Sequence, residues 1–222
     1  MSKNSLNAAF KQYEVLLNIV ASQVLKNDQV AKKDELKAIM QTAIALDPSV
    51  SAFGLFNLDG TTYLSVPVNP LPQDNSLMSI TESRKTFTET IKQNKMLIGR
   101  TYFSKALGSI IVPFRFTVRG SNGEPRFVLA IAVSIDKGFS FFINNASDNA
   151  LHDTYLYRDT DRYFQIAPND RIHDAKIYQH QIPQSEIDKA IKLLSPLIPI
   201  PYSELKDKEI VFTSENSHPA RQ

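Results

Sequence analysis

The longest uninterrupted apolar run in the chain is Phe-Val-Leu-Ala-Ile-Ala-Val, residues 127–133. Its length is that of a strand and far short of the roughly 18 to 20 residues a membrane helix needs. Residues 126–135 therefore read as the central strand of a sheet. Residues 95–103 and 109–118 read as further strands, with the turn 120–123 leading into the central one. Upstream, residues 50–58 are rich in apolar and aromatic side chains and residues 61–66 are β-prone. The Asp59-Gly60 pair between them is a strong hairpin signal.

Helices flank these strands. Leu6, Phe10, Tyr13, Leu17, Val20 and Val24 recur at alternating intervals of four and three, one apolar stripe on a long helix. Such a stripe either packs on its own domain or joins two helices in a dimer. A second helix over 34–45 carries Leu36, Ile39, Met40 and Ala43 on one side. Asp47-Pro48 stops it, because proline disfavours helix at the residue before it. A third helix is predicted over 81–93, after a proline-rich loop over 67–76. The order helix, helix, two strands, helix, three strands predicts an α+β fold, a mainly antiparallel sheet with helices on one side.

After a crossing over 137–149, the second half predicts a hairpin (152–158 and 162–166), a short helix (185–194) and a last strand (209–213). A proline-rich extended stretch over 196–201 and a disordered tail over 214–222 complete it. The strands are too few for a full sheet, so this half reads as a reduced or truncated copy of the first. The expected organisation is N-terminal helices in 1–48, a sheet domain in 49–140 and a smaller domain in 141–222.

Composition excludes several functions. Lys and Arg total 25 against 23 Asp and Glu, a net charge of +2, too balanced for a nucleic-acid partner. The chain has no cysteine, which removes disulfides, thiolate nucleophiles and cysteine metal sites. Its opening residues lack the apolar stretch of a secretory signal, so taken literally the chain is soluble and cytoplasmic. No phosphate-binding glycine loop, Gly-x-Ser-x-Gly or His-Glu-x-x-His occurs. His152, His173, His180 and His218 offer no zinc spacing. Asp159 and Asp161 suit a turn better than a calcium loop. The expectation is a non-enzyme without catalytic residues, metal or cofactor.

The ordered set of elements resembles a known family. The long first helix, the Asp-Pro turn, the apolar strand and Leu58-Asp59-Gly60 are similar to the opening of Cache sensor domains, which are PAS-like. Glu82-Ser-Arg-Lys-Thr-Phe87 and Ile98-Gly-Arg-Thr-Tyr-Phe103 look like that family's ligand-side helix and strand. Ile111-Val-Pro-Phe-Arg115 and the run from Phe127 to Asp136 resemble its last two strands. The resemblance covers about residues 5–140 and, more weakly, 150–213, as the membrane-proximal half of a double Cache module. It implies an extracytoplasmic (periplasmic) sensor portion of an inner-membrane receptor, cut from between two membrane helices with a start methionine added. The output implied is a diguanylate cyclase or histidine kinase, sometimes a chemoreceptor domain. The partners implied are a small-molecule ligand and a second copy joined through the first helix. The alternative is a dimerisation or protein-interaction module of a membrane protein that binds no ligand.

Within a PAS-like sheet the resemblance places the ligand between the sheet and its covering helix and loop. Arg84, near the start of that helix, is the first candidate, since its guanidinium fork suits a carboxylate. Alternation puts Arg100 and Tyr102 on one face of their strand and leaves Phe103 to be buried on the other. Arg115 lines the site or forms a structural ion pair. Ser134 and Asp136 end the last strand, where a carboxylate suits a ligand amine or a turn. The amino-acid-sensing version of the family carries a tryptophan and a tyrosine where this chain has Thr86 and Phe87. A carboxylate ligand remains the expectation, and a general amino-acid receptor does not.

Overall fold

The computed structural model describes residues 3–67, 76–140, 152–158, 160–168, 171–194 and 210–215. The chain divides into two compact units, Ser2–Gly138 and Phe139–Gln222.

The first unit begins with α1 (Lys3–Val24), whose stripe residues Leu6, Tyr13, Leu17, Val20 and Val24 are buried. A two-residue turn at Asn27 and Asp28, both at positive φ, joins the short strands β1 (Leu25–Lys26) and β2 (Gln29–Val30). Asn and Asp tolerate that backbone region better than other non-glycine residues. Helix α2 (Lys33–Leu46) opens with Asp34 and Glu35, which complement its positive N-terminus, and buries Leu36, Met40 and Ala43. It stops where Asp47 turns extended ahead of Pro48.

The sheet follows. Strands β3 (Val50–Phe56) and β4 (Thr62–Val66) form the expected hairpin, with Gly60 at φ 83° in its turn. Helix α3 (Thr81–Ile91) comes next, followed by β5 (Leu97–Ile98), β6 (Tyr102–Ser104), β7 (Ser109–Arg119) and β8 (Pro125–Ser134). The strand order is β4-β3-β8-β7-β5, with β6 also on β7, and every pairing is antiparallel. The single strand expected over 95–103 is broken into β5 and β6. Opposite the break stands Pro113, which has no N–H to give, and the three residues 99–101 face two on β7. The chain leaves β8 through the short helix α4 (Ile135–Gly138).

The sheet is covered on both faces, a difference from the one-sided cover expected. Phe10 and Tyr13 of α1 meet Phe114, with ring centroids 5.6 and 4.8 Å apart. Helix α3 instead meets Arg115 and Thr117, which alternate with Phe114 and so point to the opposite face. The physical reason lies in β7, most of whose residues on both faces are buried.

In the second unit, β9 (His152–Tyr157) pairs antiparallel with β10 (Phe164–Ile166) on one side and β11 (Ile210–Glu215) on the other. Arg158 Nε donates to Asp161 Oδ1 at 3.0 Å in the turn between β9 and β10, where Arg162 takes positive φ. A short 3-10 helix (Ala175–Gln179) and α5 (Gln184–Leu194) follow. Strand β11 runs two residues into the stretch expected to be disordered. The proline-rich stretch 196–201 and most of the crossing over 141–149 lie outside the described residues.

Candidate ligand-binding site

The register of the sheet creates a hollow on the α3 face. Gly54 pairs with Ala130, which pairs with Arg115 on its other side. In the next row Ala52 pairs with Ala132 and Ala132 with Pro113. All six point to the same face, and five of them are small or compact. Larger side chains in these rows would fill the space below α3. A cavity of about 100 Å³ stands over them instead, walled by Phe56, Leu77, Ile80, Tyr102, Leu107 and Ile111.

Two polar groups with long reach enter this apolar hollow. Arg115 is only 1% exposed, and its guanidinium is held from above by α3. Nη1 donates to Thr86 Oγ1 at 2.6 Å and Nη2 to Ser83 Oγ at 2.8 Å. Gly99 lies against the same group: a methyl there would stand 2.8 Å from Nη1 and 2.7 Å from Pro113 Cγ. Tyr102 is the second. Burial raises its pKa, the positive charge of Arg115 opposes the rise and Glu82 adds to it. The phenol therefore stays protonated at neutral pH, able to donate to an anion. Apolar walls with a few placed polar groups are the usual chemistry of a small-molecule pocket.

The other sequence candidates fall elsewhere. Arg84, expected beside the ligand, faces solvent, and its Nε donates to Met78 O at 2.6 Å. The reason is helical phase: Ser83, Thr86, Phe87 and Thr90 form the buried stripe of α3, which turns Arg84 outward. Phe87 is packed in a core cluster with Phe56, Leu77 and Val128, not against the cavity. Arg100 is nearly buried in the irregular stretch between β5 and β6 and is not among the cavity-lining residues. Ser134 shares the cavity face of β8 but ends the strand beyond the hollow, its N–H donating to Ser49 O at 2.9 Å. Asp136 lies past the strand end in α4, exposed. Phe103, expected to be buried, is 47% exposed.

Sequence reasoning missed Ser83, Thr86 and the small-residue rows. One signal was available for the first two. The inward stripe of α3 is rich in hydroxyls, and a buried hydroxyl stripe asks for polar partners on whatever faces it. Strand β7 supplies them at every second position. Besides Arg115, Thr117 Oγ1 donates to Thr90 O at 2.6 Å, and Arg119 Nη2 donates to Ile91 O at 2.8 Å at the C-terminal end of α3.

An antiparallel sheet with a long N-terminal helix behind it and a helix-covered hollow in front is the architecture of PAS-like sensor domains. No family model and no curated protein matches the sequence. Solved structures do match in fold. An extracellular ligand-binding receptor from Desulfohalobium retbaense superposes with a TM-score of 0.59 at 14% identity, covering 78% of this chain and 30% of that one. This chain thus spans less than a third of that receptor's length. The ligand-binding domain of the Pseudomonas aeruginosa amino acid chemoreceptor PctC, in complex with GABA, gives 0.59 at 12% identity, covering 82% and 74%. That of the Campylobacter jejuni chemoreceptor Tlp3, in complex with L-norvaline, gives 0.58 at 12%, covering 86% and 72%. At these identities the likeness is one of fold. Among the described residues no helix is long and apolar enough to cross a membrane.

Proposed function

We propose that this chain is the extracytoplasmic, periplasmic sensing portion of a bacterial inner-membrane receptor, and that its first unit binds a small carboxylate in the sheet-face cavity. The observation that carries this reading is a buried guanidinium, Arg115, reaching an apolar cavity beside a protonated phenol. An arginine fork matches a carboxylate in geometry and charge. The fold is shared with ligand-binding domains whose bound molecules, GABA and L-norvaline, each carry a carboxylate. The second unit, with its three described strands, takes the place of the membrane-proximal half of a double Cache module. In the full receptor, membrane helices flank the two units, α1 meets a second copy, and a cytoplasmic diguanylate cyclase or histidine kinase reads the occupancy.

The test is a thermal-shift screen of small carboxylates, amines and amino acids on the chain, its Arg115→Gln and Tyr102→Phe variants, and Arg84→Ala. A charge-assisted hydrogen bond contributes about 1.5–3 kcal/mol, so Arg115→Gln should weaken a carboxylate by roughly 10- to 100-fold. Tyr102→Phe should weaken it less, and Arg84→Ala should leave it unchanged. A panel in which no carboxylate raises the melting temperature would sink the reading and favour an interaction module.

A further inference from the structure

The cavity has a direction as well as a charge. Arg115 stands at the β7 end of a row that continues through Ala130 to Gly54 and then to Ser65 on β4. The floor along that row is alanine methyl and glycine backbone. At its β3 end the Phe56 ring folds back over Gly54, so closely that a methyl on Gly54 would lie 2.4 Å from Phe56 Cε2. Phe56 in turn is braced edge-on by Phe87, with ring centroids 6.4 Å apart. Gly54 is therefore what allows the ring to lie flat there, and the ring closes the row.

We propose that Phe56 sets the length of the ligand: the site selects a short aliphatic monocarboxylate, its head on Arg115 and its uncharged tail across Ala130, ending at the Phe56 ring. The inference rests on the reading of the cavity as a carboxylate site and adds the tail class and the residue that measures it. From β7 to β3 the row spans two strand spacings of about 4.8 Å, of which the ring occupies the far part, leaving room for roughly three to five tail carbons. An ammonium at the tail end would be set on methyl groups and an aromatic ring, out of water, at a cost the free molecule does not bear. GABA should therefore bind far less well than butyrate.

The experiment is titration calorimetry of the full chain with the straight-chain carboxylates from acetate to octanoate, and with the pairs butyrate/GABA and pentanoate/L-norvaline. The expected result is tightest binding at four to six carbons in all, by the strand spacing above, with each amino compound at least tenfold weaker than its deaminated partner. Phe56→Ala should move the optimum to longer chains by about two carbons. Since Phe56 also packs in the core, Ala130→Val is the second variant, and by raising the floor it should penalise the longer chains. An optimum that neither folded variant moves, or amino compounds that bind as tightly as their partners, would overturn this inference while leaving the carboxylate reading in place. Failure of every carboxylate to bind would overturn both.

Discussion

Single residues in this chain act through the partners that alternation hands them. Arg115 is a cation in a nearly dry place, and what makes it tolerable includes the two hydroxyls α3 sets above it. Thr86→Val keeps the shape and removes one acceptor, leaving a buried N–H of a charged group less well satisfied. We expect a loss of about 1.5–3 kcal/mol in urea unfolding, against less than about 0.5 kcal/mol for Thr88→Val one position beyond the buried stripe. A second residue-scale effect is electrostatic. Asp28 accepts from both the N–H and the hydroxyl of Ser121, tying the β1–β2 turn to the β7–β8 turn. Those two bonds hold its carboxyl below the usual range, with a smaller contribution from Arg126. A depressed carboxylate contributes stability that is present above the unfolded-state value, near 3.9, and is lost as pH falls through the folded-state value. Melting temperatures of the chain and of Asp28→Asn should accordingly differ at pH 6 and converge below about pH 4. A gap that stays constant across that range would mean the contact owes nothing to charge.

At the scale of elements, the two long-faced helices differ in how they hold the sheet. Helix α1 presents an aliphatic and aromatic stripe, and its packing is hydrophobic. Leu17→Ala should cost about 2–5 kcal/mol, while Ile19→Ala, two residues on but 57% exposed, should stay within about 0.5 kcal/mol. Helix α3 presents hydroxyls, and its seam with β7 is polar. This contrast explains what was legible. The α1 stripe, the Asp47-Pro48 stop, the Asp59-Gly60 hairpin and the apolar central strand each announce themselves by a local rule of period or turn chemistry. Tyr102 and Arg115 could be listed as candidates because alternation is local too. Arg84 went astray because the phase of a polar helix depends on what lies beneath it, and Ser, Thr and Arg carry little periodic signal. The hollow itself was not legible. It exists because Ala52, Ala132 and Pro113, and Gly54, Ala130 and Arg115, fall into register from strands far apart in sequence, and register is a property of pairing.

For the whole molecule, the decisive point is that every described residue lining the cavity lies between Ala52 and Ala132, inside the unit Ser2–Gly138. That unit has its own sheet, its own helices on both faces and its own buried core, which are the requirements for a domain that folds alone. Residues 2–138 produced as a fragment should therefore melt cooperatively and bind the same carboxylate with the same affinity as the full chain. Binding to the native state alone stabilises by about 2.7 kcal/mol at 100 times the dissociation constant, a rise in melting temperature on the order of 10 °C for a unit of this size. In the full chain the same ligand should raise only the calorimetric transition that Leu17→Ala lowers, because both act on the same cooperative unit. If the fragment folds but does not bind, the second unit contributes to the site, and the carboxylate would have to be sought in contacts that lie beyond the sheet face. If ligand raises every transition of the full chain together, the two units unfold as one. Occupancy of the cavity would then be coupled energetically to residues 139–222, the coupling a receptor needs to pass its signal onward.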